Sequence, residues 1–196
     1  MLMIAASVVL LLLLAWAGLI YLRKSLWDVV HRNMLDLEDN YSGKIIRNSF
    51  VARPVFHGNV NGNDLTINFS TARTSSGRKT YIDISLNAVQ DFSLTITEKS
   101  WQLEQNNESP DNAGEVLSNN GKAFFIMPAD NKKIKALIEK EELKDVLGTF
   151  ENLAYFFVGQ SGVICEFWSD KIDRDTGFEI MQPRLEQIQK LLEILK

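Results

Sequence analysis

The chain has 196 residues, with 21 lysines and arginines against 25 aspartates and glutamates, and its formal net charge at pH 7 is -4. This acidic balance argues against a nucleic-acid partner, which requires a basic surface. The single cysteine, Cys165, cannot form a disulfide within the chain, and this is compatible with a reducing compartment. Beyond its apolar N-terminus, the chain has the length of one domain.

The first segment, residues 1–22, contains no charged side chain, and only Ser7 and Gly18 interrupt its apolar run. A helix rises about 1.5 Å per residue, so about twenty apolar residues cross a hydrocarbon core of about 30 Å. In lipid, such a segment satisfies its backbone hydrogen bonds only as a helix. The segment is therefore predicted to be a transmembrane anchor, with the lipid bilayer as its partner.

The residues at the end of the apolar run predict where it meets water. Trp16 and Tyr21 are expected at the membrane interface, where Arg23 and Lys24 reach the lipid headgroups. Arg23, Lys24 and Arg32 are also the first basic residues after the span, and basic flanks mark the cytoplasmic side. We therefore expect a single-pass protein of the cell membrane with the bulk of the chain in the cytoplasm.

A cleaved secretory signal is the alternative interpretation of this segment. Ala15-Trp16-Ala17 has the small-x-small form of a cleavage site and follows an apolar stretch of suitable length. However, no lysine or arginine precedes the apolar run, so the basic region that begins a signal peptide is missing. An uncleaved anchor is the favoured interpretation.

Residues 23–40 are predicted to form an amphipathic juxtamembrane helix that continues from the anchor. Apolar residues recur along this segment at the three- and four-residue spacing of one helix face. They are Leu22, Leu26, Val30, Met34 and Leu37. Packing of this face on the following domain is favoured over contact with the bilayer or with a partner helix.

Residues 41–196 are predicted to form one α+β domain, which begins with a β-meander over residues 44–103. Three stretches of the meander alternate apolar and polar residues with a period of two, which indicates antiparallel strands with one buried face. They are residues 65–70, 82–87 and 92–97. Asn61-Gly62 favours a tight hairpin turn, and Ser76-Gly77 favours a looser one. The expected meander has about five strands.

The sequence changes character after a polar, asparagine-rich stretch at residues 104–121, which is predicted to be a long surface loop. Residues 122–196 are predicted to contain a strand, a helical stretch, a hairpin and a closing helix. Asp130 is the expected N-cap of the helical stretch, which is kinked or divided near Glu141, and Pro183 is expected to begin the closing helix. Together the segments predict an α+β fold, in which one transmembrane helix precedes a mostly antiparallel sheet with helices packed on one side.

The sequence contains no local motif for catalysis, cofactor binding or metal binding. His31 and His57 are far apart and the chain has one cysteine, so zinc-like spacing is missing. Neither a nucleophile elbow nor a phosphate-binding P-loop occurs. The acidic residues Asp170, Asp173 and Asp175 are out of register with a calcium loop. We therefore predict no catalytic residue, no cofactor and no metal site.

Three basic residues, Arg73, Arg78 and Lys79, lie in or beside the serine- and threonine-rich turn at residues 71–79. A solvated hairpin tip is the default interpretation of such a group. The alternative is contact with anionic headgroups or with a partner, because a basic residue near an anionic membrane surface gains about 1 kcal/mol. These residues are the candidate contact site of the domain.

The sequence favours a membrane-anchored binding or scaffolding module that does not catalyse a reaction. Anchoring raises the effective concentration of the domain for membrane-bound partners, so a membrane-associated protein partner is expected. Two alternatives stay open. One is a membrane-tethered enzyme whose site is built from scattered Asp, Glu, Ser or Lys residues, and the other is an extracytoplasmic ligand-sensing domain with inverted topology.

Overall fold

The protein is described by a computed structural model, which covers residues 2–75, 77–106 and 113–196. Its first element is helix α1, Leu2–Asn33, which continues without a break from the apolar run into the juxtamembrane segment. Among these residues, α1 is the one helix that is long and apolar enough to cross a membrane. Its apolar side chains between residues 8 and 14 are exposed, and a lipid-facing surface has this character.

The predicted juxtamembrane helix consists of the C-terminal part of α1 and the short helix α2, Leu35–Asn40. Its apolar face is buried in the hydrophobic core of the sheet domain. The buried side chains are those of Trp27, Val30, Met34 and Leu37. The core therefore begins at Trp27, upstream of the predicted boundary at residue 41, because the sheet covers the apolar helix face that follows the span.

The described strands join one antiparallel sheet. In chain order they are β1 (Lys44–Ile46), β2 (Val55–Val60), β3 (Asn63–Thr74), β4 (Gly77–Leu86), β5 (Leu94–Glu98), β6 (Gly114–Leu117), β7 (Ala123–Met127), β8 (Leu153–Gly159) and β9 (Gly162–Ser169). Their order across the sheet is β1-β2-β3-β4-β9-β8-β5-β7-β6. A long apolar N-terminal helix followed by an antiparallel sheet with helices confirms the predicted α+β fold class.

The predicted β-meander is correct only for its first four strands. β1 to β4 pair in succession, but β5 pairs with β7 and β8 on the other side of the sheet. β9 takes the place beside β4. The alternation in residues 92–97 locates β5 because it reflects local burial, whereas the choice of a neighbouring strand depends on residues that are distant in sequence.

The predicted polar loop at residues 104–121 is also wrong in part. Helix α3, Lys99–Asn106, ends inside this stretch, and β6 lies at its other end. Val116 of β6 is buried against the core, which explains why this polar segment still adds a strand to the sheet. Residues 107–112 of the stretch lie outside the described residues.

The β3–β4 hairpin carries the basic turn. Thr74 and Gly77 pair at its end, and the Thr74 hydroxyl donates a hydrogen bond to the Gly77 carbonyl at 3.0 Å. Gly77 has a φ of +127°, a backbone conformation that glycine adopts without steric cost. Ser76 lies outside the described residues, so the structure describes the predicted Ser76-Gly77 turn only at its flanks.

The helical stretch after β7 is divided into two helices, α4, Lys132–Ile138, and α5, Glu141–Thr149. The N-cap of α4 is Asn131 and not the predicted Asp130. The Asn131 side chain accepts a hydrogen bond from the Lys133 backbone N–H at 2.9 Å, which satisfies a donor that the helix leaves free.

The closing helix, α7, Phe178–Ile194, follows the single helical turn α6, Ile172–Asp175. Pro183 lies inside α7, so the prediction that it begins this helix is wrong. The helix starts earlier because Met181, which precedes the proline, is buried in the core. As the sixth residue of α7, Pro183 lies beyond the first turn and has no N–H to donate to the carbonyl four residues earlier.

Helices α1, α5 and α7 share one face of the sheet, where their apolar side chains meet those of the strands. Phe150, at the end of α5, packs there against Phe167 of β9 with ring centroids 5.9 Å apart. Helix α3 lies on the opposite face, where the Trp101 indole donates to the Tyr81 hydroxyl at 3.2 Å. Neighbouring Ile82 faces the core, as strand alternation requires.

Candidate membrane-facing basic surface

The direction of α1 relative to β3 determines which end of the sheet lies near the apolar run of α1. The Trp27 ring packs on Phe69, late in β3, with centroids 5.4 Å apart. Further from the span, the Tyr41 carbonyl accepts from the Asn59 N–H at 2.8 Å, and Asn59 pairs with Asp64 at the start of β3. The helix and the strand therefore run in opposite directions, and the β3–β4 turn lies at the end nearest the span.

Element lengths indicate how far this turn extends. From Phe69 to Thr74, β3 advances about 16 Å. From Trp27 back to Leu22, α1 advances about 7.5 Å. The β3–β4 turn therefore reaches the level at which the apolar run of α1 ends, even with the strand inclined to the helix axis.

Two arginine side chains converge on one hydroxyl at this end of the sheet. Arg53 donates through Nη1 to the Phe69 carbonyl at 2.6 Å and through Nη2 to Thr71 Oγ1 at 3.1 Å. Arg78 donates through Nη2 to the same Thr71 oxygen, also at 3.1 Å. A hydroxyl oxygen has two lone pairs and can accept both bonds. The two donating nitrogens are thus held within about 6 Å of each other.

Further positive charge surrounds this pair. Burial and the nearby charges of Arg23 and Arg78 lower the pKa of Arg53, and Asp83 partly opposes this effect. Arg73 lies opposite Arg78 in the β3–β4 register, where like charges repel. We call these four arginines, Arg23, Arg53, Arg73 and Arg78, the arginine cluster.

The predicted contact residue Lys79 does not join the arginine cluster. Its ammonium group pairs with the Glu104 carboxylate of α3 at 2.7 Å and lies over the Trp168 ring, 4.9 Å from its centroid. Successive side chains of a strand point to opposite faces, so Lys79 faces α3 when Arg78 faces α1. Arg73 and Arg78 are exposed at the turn.

The predicted interface residues lie along α1. Trp16 and Tyr21 are exposed on the helix surface. Arg23 is exposed as well, whereas Lys24 pairs with Asp28 one turn further on at 2.6 Å. Of these two basic residues, Arg23 is therefore the exposed one, and no ion pair holds its charge within the described part of the chain.

The loop between β1 and β2 adds residues that the sequence did not single out. Arg47 pairs with Asp28 of α1 at 2.6 Å and donates to the carbonyls of Phe50 and Ala52. These bonds fix the loop beside the helix, with the Phe50 side chain 61% exposed. Arg53 follows and lies over the Trp27 ring, 5.5 Å from its centroid. No local motif marks these arginines, because their contacts are with α1 and β3.

Scattered carboxylates, which the enzyme alternative requires, meet at one place in the sheet. Asp83 of β4 and Glu166 of β9 are paired in register and half-buried. Burial raises the pKa of both groups, and the Asp83 charge raises that of Glu166 further. Ser70 donates to Asp83 at 3.1 Å.

The remaining chemistry-bearing residues have structural surroundings. Burial raises the pKa of the Cys165 thiol well above its usual range, so this cysteine is a poor nucleophile. The exposed His57 ring lies 3.2 Å from the Thr66 hydroxyl. Asp175 is buried and accepts hydrogen bonds from Ser169 and Arg174, which occupy oxygens that a calcium ion would need.

Comparison with known proteins gives a likeness at the level of fold. No protein-family model matches the chain, and no curated protein matches its sequence. Among solved structures, the chain is similar to the crystal structure of the mycobacterial trehalose monomycolate transport factor A, TtfA. The TM-score is 0.52 at 11% sequence identity, over 86% of this chain and 96% of that chain. Identity this low establishes a shared fold and no more.

Proposed function

We propose that this protein is a single-pass membrane protein whose α+β domain is a non-catalytic binding or scaffolding module for a membrane-associated protein partner. The observation that carries the proposal is the continuity of α1 from its apolar run into the buried core. A domain attached in this way is held at one height and in one orientation on the bilayer. Such a tether raises the effective concentration of the domain for other membrane proteins.

The likeness to TtfA supports the proposal at the level of fold. That protein is named as a transport factor. The described residues contain no group of three or more histidine, cysteine, aspartate or glutamate side chains that could hold a metal ion.

We place the domain on the cytoplasmic side of the membrane. The exposed charge of Arg23 directly after the span supports this orientation, because basic flanks are retained in the cytoplasm. A reporter that is active only in the cytoplasm, fused after Lys196, is expected to work. Changing Arg23 and Lys24 to Glu is expected to weaken this orientation. Activity of a reporter that requires export, at the same position in the unmutated protein, would show the opposite topology.

A membrane-tethered enzyme is the second candidate function, favoured by the paired Asp83 and Glu166. Burial raises the pKa of both groups, and carboxyl groups with raised pKa values are found in acid-base sites. Replacement of both by amides would abolish an activity that depends on them. Under the binding proposal, the same replacement leaves partner recovery unchanged.

The partner proposal is tested by loosening the anchor without removing it. A flexible Gly-Ser segment of about ten residues is inserted between Leu22 and Arg23, and proteins that co-purify in mild detergent are quantified. The control carries the same segment after Lys196. We expect membrane proteins enriched by the unmodified and control chains to be lost from the insertion variant, which stays in the membrane fraction. Equal recovery by the insertion variant would show that rigid attachment has no role in partner binding.

A further inference from the structure

We propose that the arginine cluster is a binding site for the phosphate groups of anionic lipids. The proposal rests on the membrane anchoring by α1 and is independent of whether a protein partner exists. It assigns a ligand to the end of the sheet that faces the span. The groups that form the site are the guanidinium groups of Arg53 and Arg78, with Arg23 and Arg73 beside them.

The geometry of the pair favours a phosphate ligand. Arg53 and Arg78 each donate from one nitrogen to Thr71 Oγ1, which brings their guanidinium groups together. Each guanidinium has five N–H donors, so donors are left on both groups after these contacts. Guanidinium groups bind phosphate oxygens through parallel hydrogen bonds that a lysine ammonium does not reproduce.

The charge balance of the site favours an anion. Like charges crowd this end of the sheet, since both Arg23 and Arg78 act on the half-buried Arg53. The negative charge of Asp83 opposes this repulsion at Arg53. Burial raises the pKa of Asp83, however, and so disfavours the charged form of its carboxyl group. A bound phosphate would supply the negative charge that relieves this repulsion.

The position of the site identifies the source of the phosphate as a lipid headgroup. The β3–β4 turn reaches the level at which the apolar run of α1 ends, so the arginine cluster lies where headgroups lie. The exposed Phe50 side chain belongs to the β1–β2 loop, which Arg47 holds beside α1 through its bonds to Asp28 and to the loop carbonyls. An apolar side chain beside basic ones is typical of a surface that rests on a bilayer.

The test measures lipid binding to the full-length protein in detergent by native mass spectrometry. Phosphatidylglycerol and phosphatidylcholine are titrated separately, and the ratio of their apparent dissociation constants gives the preference for the anionic lipid. We expect the unmodified protein to prefer phosphatidylglycerol. Each arginine near an anionic group contributes about fivefold, so the variant with Arg53→Gln and Arg78→Gln is expected to lose about 30-fold of this preference.

Matched variants separate the site from general effects of charge and folding. Lys132→Gln with Lys135→Gln removes the same charge from exposed positions of α4 and is expected to keep the preference. Arg73→Gln changes an exposed side chain and is expected to lose about fivefold without affecting the thermal unfolding midpoint. Arg53→Lys with Arg78→Lys keeps the charge but not the planar donors, so an intermediate loss is expected.

Three results would overturn the proposal. The first is equal affinity of the unmodified protein for the two lipids. The second is a loss in the Lys132 and Lys135 double variant as large as in the arginine double variant, which would indicate attraction by net charge alone. The third is displacement of phosphatidylglycerol by inorganic phosphate at equal concentration, which would identify a site for soluble phosphate. Retention of α1 in the membrane is untouched by each of these outcomes.

Discussion

At the scale of single residues, strand register decides which charges meet. Asp83 and Glu166 are far apart in the sequence, but they lie side by side because β4 pairs with β9. Both are half-buried, and burial is the first cause of their raised pKa values. Two carboxylates opposite each other on neighbouring strands are destabilising when both are charged.

We therefore predict that Glu166→Gln stabilises the protein at neutral pH. The pKa of Glu166 is higher in the folded state than in the unfolded state, so its protonation favours folding. The gain in stability from removing its charge is therefore fully present at pH values above the raised pKa. We expect the free energy of unfolding at pH 7 to rise by about 0.5 kcal/mol, a small value because the group is partly solvated. The gain disappears as the pH falls below the ordinary glutamate value. Urea unfolding of the detergent-solubilised protein, followed by tryptophan fluorescence, measures it.

Glu139→Gln is the matched control for this prediction, since Glu139 is exposed at the end of α4. It removes the same charge and is expected to change stability little at any pH. A decrease in stability at pH 7 in the Glu166 variant would contradict the account of this carboxylate pair.

The arginine cluster was partly predictable from the sequence. Arg73 and Arg78 stand close together beside a turn, so their shared position was visible. The sequence does not separate Lys79 from these arginines, because Glu104 and Trp168, which hold it on the other face of the sheet, are distant in sequence. No local sequence pattern indicates Arg53 for the same physical reason, since the residues to which it donates belong to β3.

At the scale of elements, the segment that joins anchor and sheet is a structural part of the domain. Helix α2 has one leucine on its buried face and another on its exposed face. Leu37 is 0% exposed in the core and Leu35 is 44% exposed. The two positions offer a matched pair for measuring how much this segment contributes.

We predict that Leu37→Ala lowers the free energy of unfolding by about 2–5 kcal/mol, because it removes buried apolar atoms and leaves a cavity. Leu35→Ala removes the same atoms from a half-exposed site and is expected to cost less than about 1 kcal/mol. Urea unfolding of both full-length variants in detergent provides the comparison. Equal, small effects would show that the juxtamembrane segment is a stalk outside the core.

The elements could be predicted from the sequence where burial leaves a local pattern. Alternation at residues 65–70 and 82–87 located β3 and β4, and the apolar spacing before residue 40 indicated the buried helix face. Strand partners were not predictable in this way, since β5 has the same alternation whichever neighbour it takes. Val116 and Leu117 are the only large apolar residues between positions 104 and 121, and this pair is too weak a pattern to indicate β6.

At the scale of the whole molecule, the proposed anchoring determines how the domain is oriented on the bilayer. Under the proposed anchoring, the helix that leaves the membrane is the helix that packs on the sheet, so the same end of the domain stays turned towards the bilayer. The β3–β4 turn lies at the near end, and the start of β3 lies at the far end. Asp64 in β3 and Ser75, the residue after its end, are separated by about 36 Å along the strand direction.

The most direct test measures the depth of these two positions in a bilayer. A nitroxide label is attached to Ser75→Cys or to Asp64→Cys in the full-length protein in nanodiscs, and relaxation by oxygen and by a soluble nickel complex is recorded. Both positions are exposed, and the buried Cys165 does not compete for the label. We predict that the label at Ser75 lies at headgroup level and that the label at Asp64 lies in bulk water. Equal exposure of both labels to the nickel complex would contradict a domain held with its arginine cluster against the membrane.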